Sequence, residues 1–239
     1  MNSLAKFAIE AHGGLSRWEQ FKEVSADLVQ GGVLWQVKGK AGMLDKTNVT
    51  GGLRNEWASH SPFGTAGRRS RFEPEKVAIE ASDGAVLEEL RQPRRSFAGH
   101  TLQTPWTDLQ LAYFAGCAMW TYLNVPFLLA WPDVVSEEIS PWKENGEEWR
   151  RLSVEFPSTI ATHSTRQTLY IDKSGLLKRH DYDVEIAGGT PGAHYIDAYV
   201  NVSGIKFPTR RRIFGRNGDG SINPDPLVVS IDLSKIQLG

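Results

Sequence analysis

The chain has 239 residues, with 27 Lys and Arg against 28 Asp and Glu, a net charge of −1 and a pI near 6.6. A hydrophobic content of 40% lets it bury a core of its own and excludes disorder, and the near-neutral charge argues against nucleic acid as main partner. The single cysteine, Cys117, allows no internal disulfide and no zinc motif, which fits a reducing compartment.

At the N-terminus Lys6 and Glu10 break the apolar stretch that a secretory signal requires, so a soluble, cytoplasmic protein is expected. Ser3 can cap a short helix carrying Leu4, Phe7, Ala8 and Ala11, stopped by Gly13-Gly14; Ser16 and Glu19 form a capping box for a second turn with Trp18 and Phe21. Both helices fall within residues 3–21. From Val24 the apolar residues alternate, and Gly31-Gly32 turns the chain into Val33–Val37 as a hairpin. Further short strands follow to about residue 90, with Asp83-Gly84 as the clearest turn.

A helical insertion is expected at about 104–131, with Thr104 as N-cap, Pro105 at the first position and Asp108 in the first turn. Leu109–Leu123 is apolar nearly all round, the pattern of a buried helix. Asn124, Pro126 and scattered aromatics argue against a transmembrane segment. Strands return at Glu148–Phe156, Thr162–Ile171, Leu176–Ile186, His194–Val202, Ile205–Phe214 and Leu227–Leu233. The expected fold is one domain over 1–239, mainly β (α+β): a curved antiparallel sheet or half-barrel of about ten strands wrapped around the central helical insertion.

Several segments carry a family resemblance: Ala11-His12-Gly13-Gly14-Leu15, Trp120-Thr121-Tyr122-Leu123 followed by Pro126-Phe127, Phe156-Pro157 followed by His163-Ser164, and Gly204-Ile205 followed by Pro208-Thr209-Arg210. With the strand order and the helical plug, the chain resembles uncharacterised bacterial proteins of the LolA/LolB-like superfamily of lipoprotein localisation factors. The resemblance implies a half-barrel with a concave apolar cavity for an acyl chain or another greasy ligand. It transfers no functional residue. Those carriers work outside the cytoplasm, so what it implies here is the cavity rather than lipoprotein trafficking.

The 162–186 hairpin locates the candidate chemistry. With Asp172–Gly175 as a four-residue loop, Ile171 faces Leu176, and His163, Thr165, Gln167, Leu169 and Ile171 share a face with Leu176, Lys178, His180, Tyr182 and Val184. The other face is charged, placing Arg166 opposite Asp181, and reads as solvated. His180, with Gln167 across from it and Tyr182 two residues on, is then the best proton carrier, with His163 further along. A satisfied core pair explains the same residues without any chemistry. His163 and His180 lie roughly 13 Å apart at about 3.4 Å per residue, too far to share a zinc ion.

Trp35, Trp120, Tyr122, Thr165, Gln167 and Arg211 are candidate ligand-lining residues; Arg211 suits an anionic group, although arginines most often sit on the surface. No nucleophile elbow, phosphate loop or metal set is present, so no cofactor is expected. The sequence supports a protein binding a hydrophobic or amphipathic small molecule in a concave cavity. One alternative is a cofactor-independent isomerase, cyclase or hydrolase using His180 with Tyr182 or His163. Another is an interaction protein with a filled interior. A cavity of about 300–1,000 Å³ would separate the first two from the third.

Overall fold

A computed structural model describes all 239 residues. Helices α1 (Ser3–Ala11) and α2 (Leu15–Trp18) precede β1 (Glu23–Gly31), the short helix α3 (Leu34–Val37), β2 (Lys46–Gly52), β3 (Ala58–Ser61), β4 (Arg68–Glu73), β5 (Lys76–Ala81) and β6 (Val86–Arg91). Helix α4 (Asp108–Asn124) follows. The chain then runs through β7 (Val135–Glu144), β8 (Glu147–Glu155), β9 (Arg166–Ile171), β10 (Leu177–Val184), β11 (Thr190–Val202), β12 (Ile205–Arg216), β13 (Ile222–Asn223) and β14 (Val229–Leu238).

All fourteen strands join one open antiparallel sheet. Its order, β6-β5-β4-β3-β2-β1-β14-β12-β11-β10-β9-β8-β7, explains the position of the helix. The first meander runs outward to one edge at β6, and the second starts at the opposite edge with β7. The only long element between these edges is α4, which crosses the hollow of the sheet and is buried from Gln110 to Asn124. No helix of the fold is long and apolar enough to cross a membrane.

Thr107 caps α4: Gln110 N donates to Thr107 Oγ1 (3.2 Å), and Thr107 N donates to Gln110 Oε1 (2.9 Å), closing a capping box. Trp120 Nε1 and Asn124 Nδ2 both donate to Gly52 O, fastening the helix to β2. Gly116 lets it approach the sheet, because a Cβ there would lie 2.3 Å from the Phe72 Cβ.

The structure corrects several expectations. Fourteen strands replace about ten. The missed β7 is an edge strand whose exposed face presents no apolar alternation. The insertion over 104–131 narrows to α4 and a 3₁₀ turn at Phe127–Ala130; Thr107, not Thr104, is its cap. Asn2 rather than Ser3 caps α1, and α2 starts at Gly14 without a side-chain cap. The expected hairpin strand at Val33–Val37, carrying Trp35, is helix α3. Both edges of β1 are already taken, by β2 and β14, so no strand could pair there.

Candidate binding cavity

A cavity of about 130 Å³ lies between α4 and the sheet. Phe114, Ala115, Ala118, Met119 and Tyr122 form one stripe of α4 along it, and the two alanines leave the space. Trp35, Trp106, Ile213 and Val229 are among the opposing apolar residues. The volume is below the range of drug-sized sites, about 300–1,000 Å³. It is close to that of an engineered apolar cavity of about 150 Å³ that stays dry and binds benzene. Leu34, Leu102, Gly215 and Val228 line both this cavity and a surface groove of about 540 Å³ that runs past Val33, Val37 and Pro226.

Tyr122, His163 and Tyr182 supply the polar cluster in the wall, and none of them belongs to the groove. Tyr122 Oη lies 2.5 Å from Tyr182 Oη and 3.0 Å from His163 Nε2. His163 sits on the 157–165 loop rather than on the expected strand, and that loop is tied down. Ala161 N donates to Glu56 Oε2 (3.1 Å), Arg94 Nη1 donates to Thr162 O (2.9 Å) and Glu185 N donates to His163 O (3.0 Å).

His180 lies behind this wall. Its Nε2 donates to Gln167 Oε1 at 2.5 Å when the Gln167 amide is oriented so that Nε2 donates to Ser164 O at 2.9 Å. In register, Tyr182 rather than His180 faces Gln167, and His180 faces Leu169 on one side and His194 on the other. The loop runs to Leu176 and β10 carries a bulge at Lys178, so the pairing slips by two residues from the expected one. An even slip preserves parity, which keeps Gln167, His180 and Tyr182 on the inner face. The bulge turns Leu177 inward in place of the expected Leu176 and Lys178.

Arg211, 3% exposed, joins the cluster from β12. Its Nη2 donates to Tyr122 O (2.7 Å) near the C-terminus of α4, and its Nη1 donates to His194 Nε2 (3.3 Å). Arg211 Nε and His194 Nδ1 are buried without partners. Burial keeps the imidazoles neutral, pushing His163 and His180 down to about 3 and His194 well below its ordinary value, with Arg211 adding repulsion at His180 and His194. Burial likewise lowers Arg211 to about 10 and raises the Tyr122 and Tyr182 hydroxyls.

Other expected lining residues lie elsewhere. Thr165 is exposed. Trp120 is core, edge-on to Trp131, and Gln167 and Arg211 stand behind the wall rather than in it. Trp106 lines the cavity as one of the tryptophans that could form an apolar pocket, whereas Phe114 and Met119 could not be singled out because an all-round apolar helix does not declare its cavity side. The signal was the Ala115/Ala118 pair among larger neighbours.

The supposedly solvated face of the β9–β10 hairpin is also corrected. Arg179 is fully buried there, and Asp181 pairs with it rather than with Arg166, which meets Glu155. The Arg179 guanidinium makes five hydrogen bonds, to both Asp181 oxygens, Glu144, Tyr195 and Gly220 O.

No known family profile and no curated protein matches the sequence. Solved structures do match the fold. A DUF1329 family protein from Desulfovibrio piger superposes with a TM-score of 0.58 at 10% identity, over 99% of this chain and 92% of the other. A LolA superfamily protein from Nitrosomonas europaea gives 0.53 at 12% identity, over 98% and 93%. A Vibrio parahaemolyticus domain described as an outer membrane lipoprotein-sorting protein gives 0.53 at 10%, over 98% and 90%. The chain has the LolA-type fold: an open, curved antiparallel sheet with a helix laid in its hollow.

Proposed function

We propose that this protein binds a hydrophobic or amphipathic small molecule in the cavity between α4 and the sheet, with the surface groove as its way in. The observation that carries this reading is an apolar cavity that shares Leu34, Leu102, Gly215 and Val228 with a groove on the surface. An apolar space that stays dry gains from an apolar occupant about 25 cal/mol per Å² removed from water. The fold shared with a lipoprotein-sorting domain agrees with a greasy cargo.

The geometry favours binding over acid–base turnover. His180, the expected proton carrier, is held by Gln167 behind the wall, and His163, at about 3, is neutral at pH 7 and too weak a base to exchange a proton there. Calorimetric titration with 1-decanol tests the reading. Saturable one-to-one binding is expected, and Ala118→Phe, which fills the space, is expected to weaken it at least tenfold. No binding by the native protein, or unchanged binding by the filled variant, would overturn it.

A further inference from the structure

The interior around the cavity holds a surplus of hydrogen-bond donors and one positive charge, with no carboxylate to meet either. Tyr122, Tyr182 and neutral His163 carry three donor protons between them. Their two mutual contacts use two, so one proton is left without a partner whichever way the chain is oriented. Arg211 Nε and His194 Nδ1 add two more buried donors without acceptors. A buried donor left unmet keeps the full penalty of its desolvation, so such groups call for an acceptor.

The charge points the same way. Three cationic side chains are fully or nearly fully buried: Lys38, Arg179 and Arg211. Arg179 has Asp181 and Glu144. Lys38 donates to the carbonyls of Thr101 and Thr104 and lies 4.5 Å from the Trp106 ring. Arg211 has a carbonyl, a neutral imidazole and the Tyr122 ring at 5.3 Å, with no acid. Its field therefore acts on the Tyr122 and Tyr182 hydroxyls that line the cavity.

Building on the binding reading above, we infer that the ligand class is an amphiphile with an anionic oxygen head group, of the fatty-carboxylate type. Its oxygens meet the Tyr122–Tyr182–His163 cluster in the field of Arg211, and its chain runs out along the apolar groove past Leu34 and Val228. A carboxylate supplies an acceptor for the spare proton of the wall and a counter-charge for the guanidinium behind it; an alcohol supplies an acceptor and no charge.

The test titrates decanoate and 1-decanol at pH 7.5 into the native protein, Arg211→Met and Arg211→Lys. The native protein is expected to bind decanoate at least tenfold more tightly than decanol. Arg211→Met should bring the two within twofold of each other while still binding decanol, and Arg211→Lys should retain most of the preference. Equal affinities in the native protein, or an undiminished preference in Arg211→Met, would overturn the inference while leaving the binding reading in place. Failure of both probes to bind the native protein would overturn both. Should Arg211→Met not fold, the native acid-to-alcohol ratio decides by itself.

Discussion

The two faces of the β9–β10 hairpin bury polar groups in opposite ways. On the outer face Arg179 spends every donor on Asp181, Glu144, Tyr195 and Gly220, and the charges cancel locally. On the inner face Gln167, His180, Tyr182 and the neighbouring His163, His194 and Arg211 hold one unopposed charge and several donors without acceptors. Arg179 and the inner-face groups are alike sealed from water, so burial alone does not distinguish structure from site. Satisfaction does. A network whose partners are complete has no use for a ligand, whereas an incomplete one beside a cavity is where a ligand would complete it.

The largest expected effect breaks the satisfied side. Arg179→Met leaves Glu144 without its cation and Asp181 with Arg216 alone, at 3.6 Å, which should cost about 3–5 kcal/mol of stability. Urea denaturation should show the midpoint falling with little change in slope, and decanol binding to the folded fraction should stay near native. A loss under about 1 kcal/mol would mean that solvent reaches those carboxylates and that the two faces do not differ as described.

Next comes the unsatisfied side. His180→Ala removes a core ring and orphans the Gln167 carbonyl oxygen, at a cost of about 1–3 kcal/mol, while leaving the cavity wall in place. Tyr182→Phe removes only a hydroxyl, about 0.5–1.5 kcal/mol, yet it deletes a donor at the cavity. Stability should therefore fall more in His180→Ala and ligand affinity more in Tyr182→Phe. Thermal melts and calorimetric titration of the two variants read this crossing directly, and the reverse order would return His180 to the wall.

How much of this was legible follows from what the sequence encodes locally. Period-two alternation in 166–184 exposes the inner face, and the even slip of two residues left that parity intact, so His180 and Tyr182 could be placed inward without knowing the bulge at Lys178. Their partners could not be read, because a one-residue loop extension and a bulge leave no mark in hydrophobicity. The burial of Arg179 was equally hidden. It depends on Glu144, 35 positions away, and Gly220, 41 positions away, both brought over it by the sheet. The short helix at Leu34–Val37 was misread for a similar reason: its strand-like composition was overruled because β14, at the far end of the chain, occupies the pairing edge.

Acid pH should strike the inner face. The imidazoles of His163 and His180 are lowered to about 3, and those of His12 and His60 to about 4, each mainly by burial. Groups depressed in the folded state bind more protons when unfolded, so their stabilising contribution is complete above about pH 6.5 and is lost as pH falls through 4 and then 3. The melting temperature should drop steadily over that window. A flat profile from pH 6.5 to 4 would mean that the rings are hydrated.

An effect of the opposite sign belongs to the anchor of the His163 loop. Burial raises the Glu56 carboxyl to about 8, against the hydrogen bond from Ala161 and the nearby Arg94, and its Oε1 has no partner. A carboxyl raised in the folded state holds its proton there while the unfolded chain has released it, so its contribution is full below about pH 4.5 and is lost as pH rises through about 8. Lys38, lowered by burial to about 8, works above that point, where stability rises again toward its ordinary range near 10.5. The histidine limb overlaps the lower part of the Glu56 window with the other slope, so a single melting curve would hide the carboxyl. The difference between native and Glu56→Gln isolates it: the amide cannot ionise, and the curves should diverge between pH 5 and 8 in favour of the variant, with most of the divergence gone at pH 4.5. Parallel curves throughout would place Glu56 ionised at neutral pH, and the 157–165 loop would then be held by a charged anchor.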